Sequence, residues 1–203
     1  MFKIFKKEAG LTALEVVITI GIMALISGAL YGFVRVTLKA QQKSFADIKA
    51  GDEARKAILS LADNLRDTIQ SSSGSYPIQN AANQSITFFS NVDQDDEVER
   101  VRYFLDGTDL KIGTIEPQGV PVTYPVNQEK IRTVAHYIQN GANPIFYYFD
   151  KNYTGTQAAI NPNNVGEIRL IKIVVIVDAN PNSAPPATTM ETEVGLRNLK
   201  DNL

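Results

Sequence analysis

Three residues near the amino terminus carry the strongest chemical signal. Gly10 closes a short stretch, MFKIFKKEAG, and Leu11 opens an apolar run in which Glu15 is the single charge as far as Val34. The Gly10–Leu11 bond is an attractive cleavage site, and it lies ahead of the apolar run, whereas a conventional secretory signal is cut after it. A carboxylate inside such a run costs roughly 2.5 to 3.5 kcal/mol on membrane-insertion scales, so Glu15 calls for a partner.

A second constellation is acidic. Asn91, Asp93 and Asp95 stand at the first, third and fifth positions of a calcium-loop-like spacing, and Glu97 follows at the seventh. Oxygen donors of this kind suit Ca²⁺. A full loop would have Gly where Asp96 stands and a bidentate Glu where Arg102 stands, so the same residues also fit a solvated turn. The one histidine, His136, has no cysteine and no second histidine with which to build a relay or a histidine-based metal site. No glycine-rich phosphate loop and no Gly-x-Ser-x-Gly elbow occurs, so the sequence points to no catalytic group and His136 is expected to be a structural or surface residue.

The element that positions the first constellation is a helix. Residues 11–34 would rise through roughly 36 Å, enough to cross a bilayer core. Lys3, Lys6 and Lys7 are the only cations before the run, which leaves this end in the cytoplasm and the bulk of the chain exported. The next proline is Pro77, so one helix is expected to continue to about Ile69. Its distal half places Phe45, Ile48, Ile58, Leu61, Leu65 and Ile69 at helical spacing, as a face that packs on a domain. Gly51 is the weak point of that half, a place for a bend. Gly28 and Gly32 form a small-xxx-small pair that permits close helix approach and is equally common in membrane helices without that use.

Basic leader, glycine and a glutamate within an otherwise apolar run together resemble the class III leader of type IV pilins and type II secretion pseudopilins. The departure is Leu11, where the family most often has Phe. The resemblance implies that a prepilin peptidase cuts after Gly10 and methylates the new terminus at Leu11. It also implies that Glu15 neutralises the terminal amine of a neighbouring subunit during assembly. The competing reading takes residues 11–34 as a signal peptide or anchor for an independent exported binding domain or enzyme, with Ser27, Gly28 and Ala29 offering small residues at signal-peptidase spacing. Amino-terminal sequencing separates the two.

Beyond the helix, 71–75 is a serine-rich loop and the texture turns to strands. Residues 86–89 and 98–105 read as a hairpin across the acidic turn, and Asp106-Gly107-Thr108-Asp109 turns into a third strand at 110–115. Residues 131–138 suit a strand by composition, but Ile131, Val134, Ala135 and Ile138 fit a one-sided helix, which is the form expected here. Residues 144–149 (PIFYYF) read as an aromatic strand whose rings are expected to fill the space between sheet and helix, the other reading being an exposed patch for a partner or sugar. The run 167–178 is the strongest strand, expected to be central and covered on both faces. The last strand alternates Met190, Thr192, Val194 and Leu196 inward with Glu191, Glu193 and Arg197 outward.

The fold class is therefore α+β: a leader (1–10), a transmembrane and assembly half-helix (11–38), and an exported domain (39–203) of amphipathic half-helix to about residue 70 and antiparallel sheet. This layout resembles the larger minor members of the family, the PilW-like minor pilins and GspJ-like pseudopilins. It implies a single-pass protein of the inner or cytoplasmic membrane that joins other pilin or pseudopilin subunits near a filament tip. Removing the leader's three lysines and one glutamate from 20 basic and 22 acidic residues leaves 17 and 21, a net charge of −4. Such a surface has no basic field for nucleic acid. The absence of cysteine excludes disulfides and thiol chemistry.

Overall fold

A run of Ala, Leu, Ile and Met without proline gives the chain its one long helix, α1 (Ala13–Arg66). The computed structural model describes residues 10–93, 95–181 and 186–196. Two compact units divide at 45/46, Met1–Phe45 and Ala46–Leu203. In the first unit every described residue, from 10 onward, is exposed except Lys43, and Gly21, Gly28 and Gly32 meet nothing of their own chain. Among the described residues α1 is the one helix long and apolar enough to cross a membrane.

In the second unit α1 contributes Ala50, Ala54, Ala57, Ile58, Leu61, Ala62 and Leu65 to the core. The packed face is thus built largely of alanines, which let sheet side chains come close. Phe45 and Ile48, expected on that face, are exposed. α1 runs unbroken through Gly51, where an added Cβ would stand 3.4 Å from the Met190 methyl, so the glycine serves close approach to the last strand. The helix stops at Arg66, three residues short of expectation, because the Ile69 amide is taken by the Phe89 carbonyl at 3.0 Å.

Two antiparallel sheets complete the unit. One is the five-stranded meander β1 (Ile78–Ala81), β2 (Ser85–Ser90), β3 (Glu99–Asp106), β4 (Asp109–Ile115) and β5 (Lys130–Ala135), in that order. The other is β6 (Phe146–Phe149), β7 (Leu170–Val177) and β8 (Thr188–Gly195), with β7 central. Gly107, at φ 63°, makes the β3–β4 turn that its sequence promised. Ile86, Phe88, Val101, Tyr103 and Ile112 pack with the helix residues in a single core that also takes Phe146, Tyr148, Ile171, Ile173 and Val175. The aromatic strand fills this space as expected: Tyr148 is buried and donates its hydroxyl to the Ala82 carbonyl at 2.7 Å, tying the sheets together.

Two expectations about the strands need correction. The segment 131–138 is strand, not helix: residues 130–135 pair along β4, Ile131 is exposed, and the Ile138 amide goes to the Thr108 carbonyl. Edge pairing to β4 satisfies this backbone more fully than a lone turn of helix with no apolar face to bury. Strand β7 buries Ile171, Ile173, Val175 and Val177, while Leu170, Lys172, Val174 and Ile176 are half-exposed, so it is covered on one face rather than two. The Lys172–Glu191 ion pair at 2.9 Å sets one polar contact on that largely apolar outer face. Strand β1 had no signal, since it has only four residues and its outer positions are Gln79 and Asn80. In β8, Val194 is buried, Met190 and Thr192 are half-buried and Glu191 and Glu193 exposed; Arg197 lies outside the described residues.

Candidate functional site

At the amino-terminal end, Gly10 and Leu11 are exposed and precede the first helical residue. Lys3, Lys6 and Lys7, the cations of the expected leader, lie outside the described residues. Thr12 and Glu15 close a capping box. Glu15 Oε2 accepts the Thr12 amide N–H at 2.8 Å and the Thr12 hydroxyl at 3.0 Å. Thr12 Oγ1 in turn accepts the Glu15 N–H at 3.3 Å. Two donors that the first turn would leave orphaned are satisfied, and a negative charge sits at the positive end of the helix dipole. The Thr-x-x-Glu spacing was readable in the sequence. It gives Glu15 an intrachain partner one residue from Leu11.

Past that box the helix surface is apolar and without cover. Leu14, Val17, Met23, Leu25, Phe33 and Val36 are each well over half exposed. Lipid or other apolar helices are the surroundings such a surface requires.

The acidic turn links β2 to β3, and its side chains serve mostly the turn itself. Asn91 donates to the Asp95 carbonyl, and the Asp95 carboxylate accepts the Glu97 amide at 2.7 Å. Asp95 and Glu97 are exposed. Among the described residues, the carboxylates that converge are Asp93, Glu99 and Glu116, with one oxygen of each within 4.8 Å of the others. Asp93 is therefore the one residue of the expected set in this group. Glu99 occupies an inward position of β3, in step with Val101 and Tyr103, and is 1 % exposed. Burial, and then the negative charges of Asp93 and Glu116, push its carboxyl above the usual range, against the hydrogen bond that its Oε2 accepts from the Val92 amide at 2.7 Å. The inward parity of Glu99 was legible in the alternation of β3, whereas Glu116 joins only through the β3–β4 register.

Two further charged contacts brace the sheet. His136 Nδ1 lies 2.9 Å from Asp109 Oδ1, and its Nε2 lies 3.8 Å from Glu53 on the helix. The Asp109 contact, with the charges of Asp109 and Glu53, holds the imidazole above its ordinary pKa. Arg102 makes a bidentate pair with Glu129 at 2.8 and 2.6 Å while lying over the Phe104 ring at 3.9 Å. His136, half-exposed between two acids, is placed as a charge clamp rather than beside a nucleophile.

Comparison with protein-family models and with curated proteins finds no match.

Proposed function

We propose that this protein is a minor pilin or pseudopilin, a non-catalytic subunit of a type IV pilus or type II secretion pseudopilus with a pilin-like fold. On this reading a prepilin peptidase cuts between Gly10 and Leu11. The subunit waits in the membrane with its domain exported, then enters the filament through α1, at or near the tip. The observation that carries the reading is the exposure of the whole apolar helix surface from residue 11 to 38, interrupted by one carboxylate that sits beside the cleavage position. A domain using the helix only as an anchor would gain from that glutamate a helix cap and nothing more. A filament would, because the new amino terminus brings a positive charge into apolar surroundings.

Amino-terminal sequencing and mass measurement of the protein isolated from membranes test it. A chain beginning at methylated Leu11 is expected; an intact Met1, or a start at Leu30, overturns the assignment in favour of an anchor or a signal peptide.

A further inference from the structure

We infer that Asp93, Glu99 and Glu116, with Ser90, form a divalent-cation site that takes Ca²⁺ at the end of the meander opposite the β3–β4 turn.

The placement follows from register. Ser90 of β2 stands directly across from Glu99 of β3, and the pairing of Arg100 with Ile115 sets Glu116, one step past β4, beside Glu99. Three oxygen-bearing side chains therefore lie in a row across three strands, and Asp93 reaches them from the β2–β3 loop. Directly paired side chains on one sheet face stand about 5 Å apart, so Ser90 and Glu99 are close neighbours.

Two buried oxygens in this row are left without a partner. Glu99 Oε1 and Ser90 Oγ make no hydrogen bond among the described residues, although Glu99 is 1 % and Ser90 0 % exposed. A carboxylate oxygen buried without a donor is costly, and such groups are rare in folded proteins. The remaining contacts do not relieve it: Val92 N–H occupies the other oxygen of Glu99, and the Lys130 ammonium, largely exposed, reaches only Glu116 at 3.2 Å. Three carboxylates held this close repel one another unless a positive charge or a proton lies between them.

The donor chemistry selects the ion. All the groups are hard oxygens, which excludes the softer metals that want imidazole or thiolate. One oxygen of each carboxylate lies within 4.8 Å of the others, close enough to share one Ca²⁺, whose flexible shell accepts irregular oxygen sets where Mg²⁺ demands near-octahedral geometry and keeps its waters. The site shares Asp93 with the loop-spaced set of Asn91, Asp93, Asp95 and Glu97 and takes none of the other three. It does not rest on the filament reading, and an exported domain of any function would meet the calcium that fills such modules.

The test uses the full chain in detergent micelles, stripped with a chelator and titrated with CaCl₂ by calorimetry, with thermal unfolding followed in parallel. One Ca²⁺ per chain is expected, with a Kd of about 10⁻⁴ to 10⁻³ M and an unfolding temperature that rises with calcium. MgCl₂ should raise it less. Glu99→Gln should weaken binding at least tenfold, and the exposed Asp93→Asn, which leaves the core untouched, should do the same if the first variant folds poorly. Absence of calcium heat and of any shift in the parent overturns the site. Equal calcium affinity in parent and Asp93→Asn also overturns it.

Discussion

Glu15 and Thr12 hold each other reciprocally: the carboxylate accepts the threonine amide at 2.8 Å, and the threonine hydroxyl accepts the glutamate amide at 3.3 Å. The same carboxylate thus starts the helix and lies beside the position where a processed chain would begin. Its two uses can be separated. Thr12→Ala removes the cap at a cost of about 1 kcal/mol but leaves the charge, whereas Glu15→Ala removes both. Both variants should mature normally. Glu15→Ala should enter filaments or tip complexes at a small fraction of the parent level, and Thr12→Ala near it. Immunoblots of sheared filaments decide the matter; equal loss in the two variants would reduce Glu15 to a cap.

Gly10 should be required for processing. On the proposed reading the peptidase accepts little beyond a hydrogen at that side chain, and Gly10 is exposed with open space around it, so the fold itself would tolerate a larger residue. Gly10→Val should accumulate in the membrane as full-length precursor. Normal maturation of that variant would refute the leader.

Much of this molecule is legible in one dimension because its strongest signals are local. The unbroken apolar run, the Gly107 turn and the alternation of β8 all depend on neighbours within a few residues. What was missed depends on pairing. Ile131 and Ala135 look helical until β4 offers an edge, and Ile69 leaves the helix because a carbonyl of β2 competes for its amide. The acidic turn shows the limit most plainly. Spacing along the chain gathered Asn91, Asp93, Asp95 and Glu97, whereas register gathers Asp93 with Glu99 and Glu116. Consecutive loop residues can satisfy one another's amides, but convergence of carboxylates requires strands that bring distant positions side by side.

His136 should make stability pH-dependent in a defined direction. Its pKa in the folded chain is raised by Asp109 and Glu53, so the charged clamp contributes fully below the unfolded value of about 6.5. The contribution is lost as pH climbs through the raised value. His136→Gln should therefore lower the urea midpoint at pH 5.5 and approach the parent at pH 9. A variant that is more destabilising at high pH than at low would exclude the clamp.

Gly113 should be essential only while Glu129 is present. A Cβ at Gly113 would lie 2.7 Å from Glu129 Cδ, so Gly113→Ala must push aside the carboxylate that grips Arg102. The Glu129 side chain is 8 % exposed, and displacing it from its partner should cost about 2 kcal/mol. Gly113→Ala made on top of Glu129→Ala should cost far less, since the clash and the pair are both gone. Additive losses in the denaturation midpoints of the double variant would mean that the glycine serves the strand and not the ion pair.

The second unit should fold without the apolar half of α1 but not without the distal half. Ala50, Ala54, Ala57, Ile58, Leu61, Ala62 and Leu65 are buried, and the sheet residues that pack with them, Phe88, Val101 and Tyr103 among them, are fully covered. Asn64 adds a hydrogen bond of 2.9 Å to the Tyr103 hydroxyl, so the helix also satisfies a polar group in that core. A chain beginning near Lys43 keeps all of these contacts, and it should be monomeric with one cooperative unfolding transition. A chain beginning near Ser75 uncovers Tyr103 and Phe88 and leaves that hydroxyl without its donor, so it should aggregate. Size-exclusion chromatography and thermal unfolding of the two chains read the difference. Identical behaviour would show that the meander and the second sheet close a core by themselves, with α1 packed on the outside.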